Sequence, residues 1–297
     1  MVLARRLLLA AVAYSLPAAA LTVASERLIR PRIFYHGGWH PEPPEAVGWP
    51  HEETTIYTPD GLELQGWFFR AIDPAAPTIL FLHGTSYNAS DMWITQERAA
   101  AFHDFMRGVR ANFFVFDYRG YGRNAGLATE EGMYTDAAAA LGWLNTRDDI
   151  DRAKIFYYGF SLGTGVAAEL ALREPPRGLI LRAPFTSVRD IAAGRYRWMR
   201  PLFALAPWLP LTNFNTLSKM PRIRCPLLVM HGEHDRTIPE RMGQHVFAAH
   251  PGPKMYVQFP GAGHSDVSAN LVVPPITQFV DDVLATAPGA TQLASVP

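Results

Sequence analysis

The stretch Gly159-Phe160-Ser161-Leu162-Gly163 has the residue types and spacing that can turn a serine hydroxyl into a nucleophile. A glycine two residues away on each side suits a strained turn in which any Cβ at those positions would clash. The pattern by itself is common, so its setting decides its meaning. Here it follows directly on the apolar run 155–160 and opens the helical stretch 162–173. A strand, a sharp turn and a helix in that order would hold the Ser161 hydroxyl above a sheet edge, where the helix dipole favours a developing negative charge. The chemistry expected of such a residue is attack on a carbonyl carbon.

A serine nucleophile needs a base, and the base needs an acid to orient it. His264 stands in Gly261-Ala262-Gly263-His264-Ser265, immediately after the apolar run 255–259, so it can reach the same edge as Ser161. His245 and His250 fall on a helical stretch and read as surface or packing residues. Between Ser161 and His264 the acids are Glu169, Glu174, Asp190, Glu233, Asp235 and Glu240. Only Glu233 and Asp235 follow a strand end, within His231-Gly232-Glu233-His234-Asp235, and Asp235 lies deeper in that turn. His83-Gly84-Thr85 follows the run 79–82, and the backbone N–H of Thr85 paired with that of Leu162 would form an oxyanion hole. No metal or organic cofactor is implied. His231 and His234 could be metal ligands, but they lack a supporting third group, and a strand-end turn is the plainer reading.

The elements that would position these residues are legible in the hydrophobic pattern. Thr54 to Thr58, the turn at Asp60-Gly61 and the return over Leu64 to Phe69 predict an antiparallel hairpin. From residue 78 onward, short continuous apolar runs (79–82, 113–116, 155–160, 179–181, 227–230 and 255–259) alternate with helical stretches near 91–109, 131–146, 162–173, 239–249 and 273–286. Strands that are apolar on both faces belong to a parallel sheet covered by helices on both sides. The expected fold class is therefore α/β, a mostly parallel sheet led by a hairpin. Residues 187–221 follow neither period and are expected to form a small lid over the catalytic edge. Trp198, Met199, Phe203, Trp208, Leu209, Leu211 and Phe214 in that insertion favour medium to long acyl chains.

The N-terminus has its own character. Arg5 and Arg6 precede an uncharged apolar run, 7–23, and Arg27, Arg30 and Arg32 follow it. This reads as a single membrane anchor, with a signal peptide cleaved near Ala18 to Ala20 as the alternative. The expected organisation is a membrane or signal segment at 1–30, a proline-rich linker at 31–52, a catalytic domain at 53–286 and a tail at 287–297. With 297 residues, 48% hydrophobic and 18% charged, the chain is long enough for one large domain. Lys plus Arg equals Asp plus Glu at 27 each, so no net field favours nucleic acid. The single cysteine, Cys225, excludes an internal disulfide. A nicotinamide-dependent oxidoreductase would need Tyr four residues before Lys, but Ile150, Asn215 and His250 stand there, ahead of Lys154, Lys219 and Lys254. A catalytically silent scaffold of the same fold is the other rival, against which the intact serine, histidine and acid argue.

Taken together, the Ser161 turn, His83-Gly84, Asp117-Tyr118-Arg119-Gly120-Tyr121-Gly122, Ala183-Pro184-Phe185-Thr186-Ser187, the His231 to Asp235 turn and Gly263-His264 resemble the α/β-hydrolase superfamily over about residues 50 to 285. More narrowly, the chain is similar to the BEM46-like branch, whose members carry an N-terminal membrane segment and include acyl-protein thioesterases and lysophospholipases. The resemblance implies Ser161, Asp235 and His264 as a catalytic triad, a small-molecule or lipid-like acyl substrate, and segment 7–23 as an uncleaved anchor. It also implies that Asp117 shapes the pocket as a structural residue. That branch usually has Asn where Thr85 stands, a change that keeps the main-chain donor and alters any side-chain contact to substrate.

Overall fold

The computed structural model describes residues 50–86, 88–92, 96–195 and 213–286. Among them, eight strands form one sheet: β1 (His51–Tyr57), β2 (Glu63–Phe69), β3 (Thr78–Leu82), β4 (Asn112–Phe116), β5 (Ile155–Phe160), β6 (Gly178–Arg182), β7 (Leu227–Gly232) and β8 (Lys254–Phe259). The spatial order is β1-β2-β4-β3-β5-β6-β7-β8. β1 and β2 make the expected antiparallel hairpin, β2 runs antiparallel to β4, and β3 to β8 are all parallel. The chain leaves β3 for β4 on one side, then returns to β5 on the other. The carboxyl ends of β3 and β5 therefore flank the switch point at which open α/β sheets bind ligands.

β3 and β4 are buried at every residue, because helices cover both faces of the sheet. One face packs under α2 (Glu130–Asn145), α3 (Leu162–Arg173) and α6 (Glu240–Ala249), with Met133, Ala137, Leu141, Val166, Met242 and Val246 in a single apolar cluster. The other packs under α1 (Gln96–Val109) and α7 (Ala269–Ala285), with Phe102, Met106, Ile276 and Phe279. Thr129 starts α2 by accepting the amide of Gly132 at 3.1 Å, so its side chain ends the preceding loop.

Three element boundaries differ from expectation. Residues 89–92 form a short 3-10 turn, and α1 begins at Gln96 rather than near 91. The helix α7 begins at Ala269, about a turn ahead of the expected 273, and carries Pro274 and Pro275 inside it. At this depth the proline pair removes only the amides that would bond the carbonyls of Asn270 and Leu271, both exposed. The insertion contributes α4 (Val188–Arg195) and a short α5 (Thr216–Lys219), neither evident from periodicity. Its end belongs to the body: Phe214 is wholly buried, edge-on to Tyr134 at 5.6 Å and pressed against Gly165. Residues 196–212 of the expected lid, segment 7–23, all but the last residues of the linker and the tail 287–297 lie outside the described residues. No helix among the described residues is long and apolar enough to cross a membrane.

Candidate active site

Ser161 occupies the turn between β5 and α3 with φ 52° and ψ −119°, a backbone conformation that L-residues rarely adopt. Its amide donates to the Arg182 carbonyl at 3.0 Å, which pins the turn to the end of β6. The flanking glycines leave no room for a side chain. A Cβ on Gly159 would lie 2.6 Å from the Gly163 carbonyl oxygen, and one on Gly163 would lie 2.0 Å from that of Leu82. The amide of Leu162 is the first of α3 and has no acceptor inside the helix.

Asp235 lies in the turn after β7 and is buried. Its Oδ1 accepts the amides of Thr237 and Ile238, each at 2.8 Å, and its Oδ2 accepts His264 Nδ1 at 2.7 Å. Burial alone would raise this carboxyl's pKa. The nearby His231 imidazole and the bonds from His264 and the Ile238 amide outweigh burial and hold it well below the usual carboxylate range. His264, in the turn after β8, brings its Nε2 to 3.0 Å from Ser161 Oγ. Its ring stacks on Phe160 at 5.3 Å, and the Arg182 guanidinium lies over the same phenyl ring at 4.9 Å.

The two turns that carry Asp235 and His264 are laced together by their backbones. Glu233 N donates to Phe259 O at 3.1 Å and His234 N to Ala262 O at 2.8 Å. A Cβ on Gly232 would sit 2.2 Å from the Gly263 carbonyl oxygen. Glu233, the other acid that sequence position had left open, is exposed, and its Oε2 accepts the Gly261 amide at 2.8 Å. It braces the histidine turn, while Asp235 takes the histidine itself.

The loop after β3 lies against the serine. A Cβ on Gly84 would meet Ser161 Cβ at 3.2 Å, so the chain passes the hydroxyl in van der Waals contact just before Thr85. Thr85 Oγ1 stands 3.3 Å from the Tyr121 hydroxyl, which anchors the loop to the turn after β4. Asp117 at the head of that turn is buried and accepts the Ala89 amide at 2.5 Å, with His83 Nε2 3.7 Å away. It ties two loops together.

A family model for the alpha/beta hydrolase fold matches residues 77–207. An uncharacterized protein of Mycobacterium tuberculosis is 36% identical over 237 residues, 79% of this chain and 80% of that protein. The chain belongs to the α/β-hydrolase superfamily. The lysophosphatidylserine lipase ABHD12 of Rattus norvegicus is 30% identical over 225 residues; the match covers 71% of this chain and spans about half of the lipase, 52% of its length. The esterase Pf2001 of Pyrococcus furiosus superimposes with a TM-score of 0.63 over 82% of this chain and 96% of its own; at 20% identity this likeness speaks for the α/β-hydrolase fold alone.

Within this site, one residue makes contacts that the sequence did not reveal. His231 is wholly buried at the end of β7, its Nε2 2.9 Å from the Ile238 carbonyl oxygen and 3.4 Å from Asp235 Oδ2. His234, considered with it as a metal ligand, is exposed and 3.9 Å from Glu233, so the two imidazoles do not converge. The signal was the four-residue spacing from His231 to Asp235, which becomes a contact only when the strand end folds back on itself.

Proposed function

We propose that the chain is a serine hydrolase that cleaves a carboxylic ester or thioester through an acyl-enzyme, acting on a lipophilic acyl substrate. The observation that carries this reading is the unbroken run of hydrogen bonds from Asp235 Oδ2 through His264, 2.7 Å to Nδ1, and from Nε2 to Ser161 Oγ at 3.0 Å. An ionised carboxylate only accepts, so Nδ1 carries the ring proton and the Nε2 lone pair faces the serine hydroxyl. Ser161 Oγ attacks the acyl carbon as Nε2 takes its proton. The carbonyl oxygen, now an anion, is received by the amides of Thr85 and Leu162. Collapse expels the alcohol or thiol, which leaves with the proton from His264. Water then attacks the acyl-serine with the same histidine as base, and the acid departs.

The lipophilic substrate rests on the apolar residues of the insertion and on the lysophosphatidylserine lipase among the relatives. The same reading places the chain in the BEM46-like branch and at a membrane through segment 7–23. A fluorophosphonate probe should label the wild type at Ser161, and labelling elsewhere or none would sink the mechanism. Across p-nitrophenyl esters, kcat/KM should climb from acetate to octanoate; a flat or falling series removes the lipophilic pocket. Full-length protein should stay with membranes through carbonate extraction, and release to the supernatant removes the anchor.

A further inference from the structure

We infer that His231 is a positioning residue for the acid of the triad, its Nε2–H holding the Asp235 turn closed through the Ile238 carbonyl and offering a second donor to the carboxylate oxygen that serves His264. The inference rests on the reading of Ser161, His264 and Asp235 as a catalytic triad.

The tautomer of His231 follows from its partner. A carbonyl oxygen accepts and never donates, so the 2.9 Å contact with Ile238 O puts the proton on Nε2 and leaves Nδ1 bare. Nδ1 is buried and has no hydrogen-bond partner. Helix α6 closes over that side of the ring with bare backbone: a Cβ on Gly243 would lie 2.3 Å from Nδ1. The ring is thus held between a helix that admits no side chain and a single bond at Nε2. An aliphatic residue would fill the same space without burying an unpaired acceptor, so the contribution of an imidazole here lies in its one N–H.

That N–H points at the part of the turn that must stay still. Ile238 donates its amide to Asp235 Oδ1 at 2.8 Å and receives His231 at its carbonyl, so one residue is gripped from both ends. Nε2 itself stands 3.4 Å from Oδ2, close enough in a buried site for the N–H dipole to draw charge from an oxygen that already accepts His264 Nδ1 at 2.7 Å. A donor on Oδ2 makes the carboxylate less basic and so tempers how strongly it stabilises the His264 imidazolium. Without that donor, Oδ2 would hold the imidazolium more strongly.

Other charged groups face this pair from each neighbouring element. Glu233 and Asp266, both exposed, cap the amides of Gly261 and Gly263. Arg182 lies over the Phe160 ring that stacks on His264, and His234 lies out beside Glu233. On α6, Glu240 accepts from Tyr256 and Gln258, and Arg241 is exposed. A substitution at position 231 leaves all of them in place.

The test compares His231→Met with His231→Gln in the full chain. The two side chains have similar shape, and the Gln amide nitrogen lies as many bonds from the backbone as Nε2. For kcat/KM on the best p-nitrophenyl ester, the Met variant should lose roughly tenfold on the plateau, carried by kcat with KM unchanged. Its acid limb should move up by about half a pH unit. The Gln variant should keep the wild-type limb and most of the rate. If the Met variant shares the wild-type limb and rate, or if both variants shift alike, the inference is overturned; a lowered melting temperature in both with unmoved limbs marks a residue that only packs. Fluorophosphonate labelling of the wild type separates the two failures. A wild type that does not label overturns the triad and the inference with it, and one that labels confines the failure to His231.

Discussion

At the scale of single residues, Ser161 spends conformational energy on its position. With φ 52° and ψ −119° it sits where glycine is at ease and other residues are strained by about 1–3 kcal/mol. Ser161→Ala should abolish turnover, by roughly 10⁶-fold, while leaving the fold intact. Ser161→Gly should be equally inactive yet more stable than the alanine variant, by about 1 kcal/mol in urea titration. Equal stability would mean that the turn is relaxed. Asp235→Asn should lower kcat by roughly 10⁴-fold, since an amide can turn the histidine to the wrong tautomer. Glu233→Gln, at a side chain that meets the Gly261 amide and the exposed His234 but not His264, should stay within about tenfold, and the reverse ranking would reassign the acid. Ser161, Asp235 and His264 could be picked out in the sequence because each stands in the turn that follows an apolar run, and the structure brings the three into contact. His231 could not. It stands where such a run ends, and there a buried packing residue and a donor to the next turn read alike.

At the scale of elements, the contact of His264 with Asp235 and Ser161 depends on two turns passing each other without side chains between them. Gly232 ends β7 where the Gly263 carbonyl crosses it, so Gly232→Ala must push the Asp235 and His264 turns apart. A displacement of about an ångström should cost roughly 10²-fold in kcat/KM, and fluorophosphonate labelling should slow in step. Gly142 is the control. It lies in α2 with nothing within 4 Å of its missing Cβ, so Gly142→Ala should leave activity alone and raise stability by about 0.5–1 kcal/mol. If both variants keep full activity, the crossing tolerates more than the geometry allows. The role of Gly159 and Gly163 was legible because their spacing around a serine is local. That of Gly232 was not, because the atom it avoids comes from a turn thirty-one residues further along, and no period links the two. The helix α7 starts at Ala269, ahead of the expected 273, and its first buried residue is Val272.

At the scale of the whole molecule, the continuous apolar runs made the parallel sheet readable, since only strands covered on both faces lack alternation. The order of β3 and β4 was not readable, because both runs look alike and their placement depends on the crossovers. Acid stability is a property of the whole fold, and His250 contributes to it from the end of α6. Burial, then the nearby Lys254 charge, lowers its pKa from 6.5 to about 4. In the pH window between those values the unfolded chain binds a proton that the folded chain refuses. Stability is therefore complete above about pH 6.5 and is lost as pH falls toward 4, by an order of 1–3 kcal/mol. Asp235, with its carboxyl held low, adds stability that is present above about pH 4 and fades only below it, outside that window. His250→Leu should flatten the loss between pH 6.5 and 4 in urea titrations; an unchanged slope would place the sensitivity elsewhere.

The eight-stranded sheet ends, among the described residues, in two open borders, β1 and β8. A bare border invites a strand from another molecule, and charge along it discourages that growth. β1 carries Glu52 and Glu53, both exposed, with Arg147 holding the first at 2.8 Å; β8 opens with Lys254, whose ammonium is tied to the carbonyls at the end of α6. These side chains lie away from Ser161, and charge placed there is expected to keep copies of the molecule from adding strand to strand. Replacing both β1 glutamates with valine should leave ester turnover unchanged and shorten the lag before light scattering rises on gentle heating, so colloidal life is set at the rim of the sheet, far from the serine.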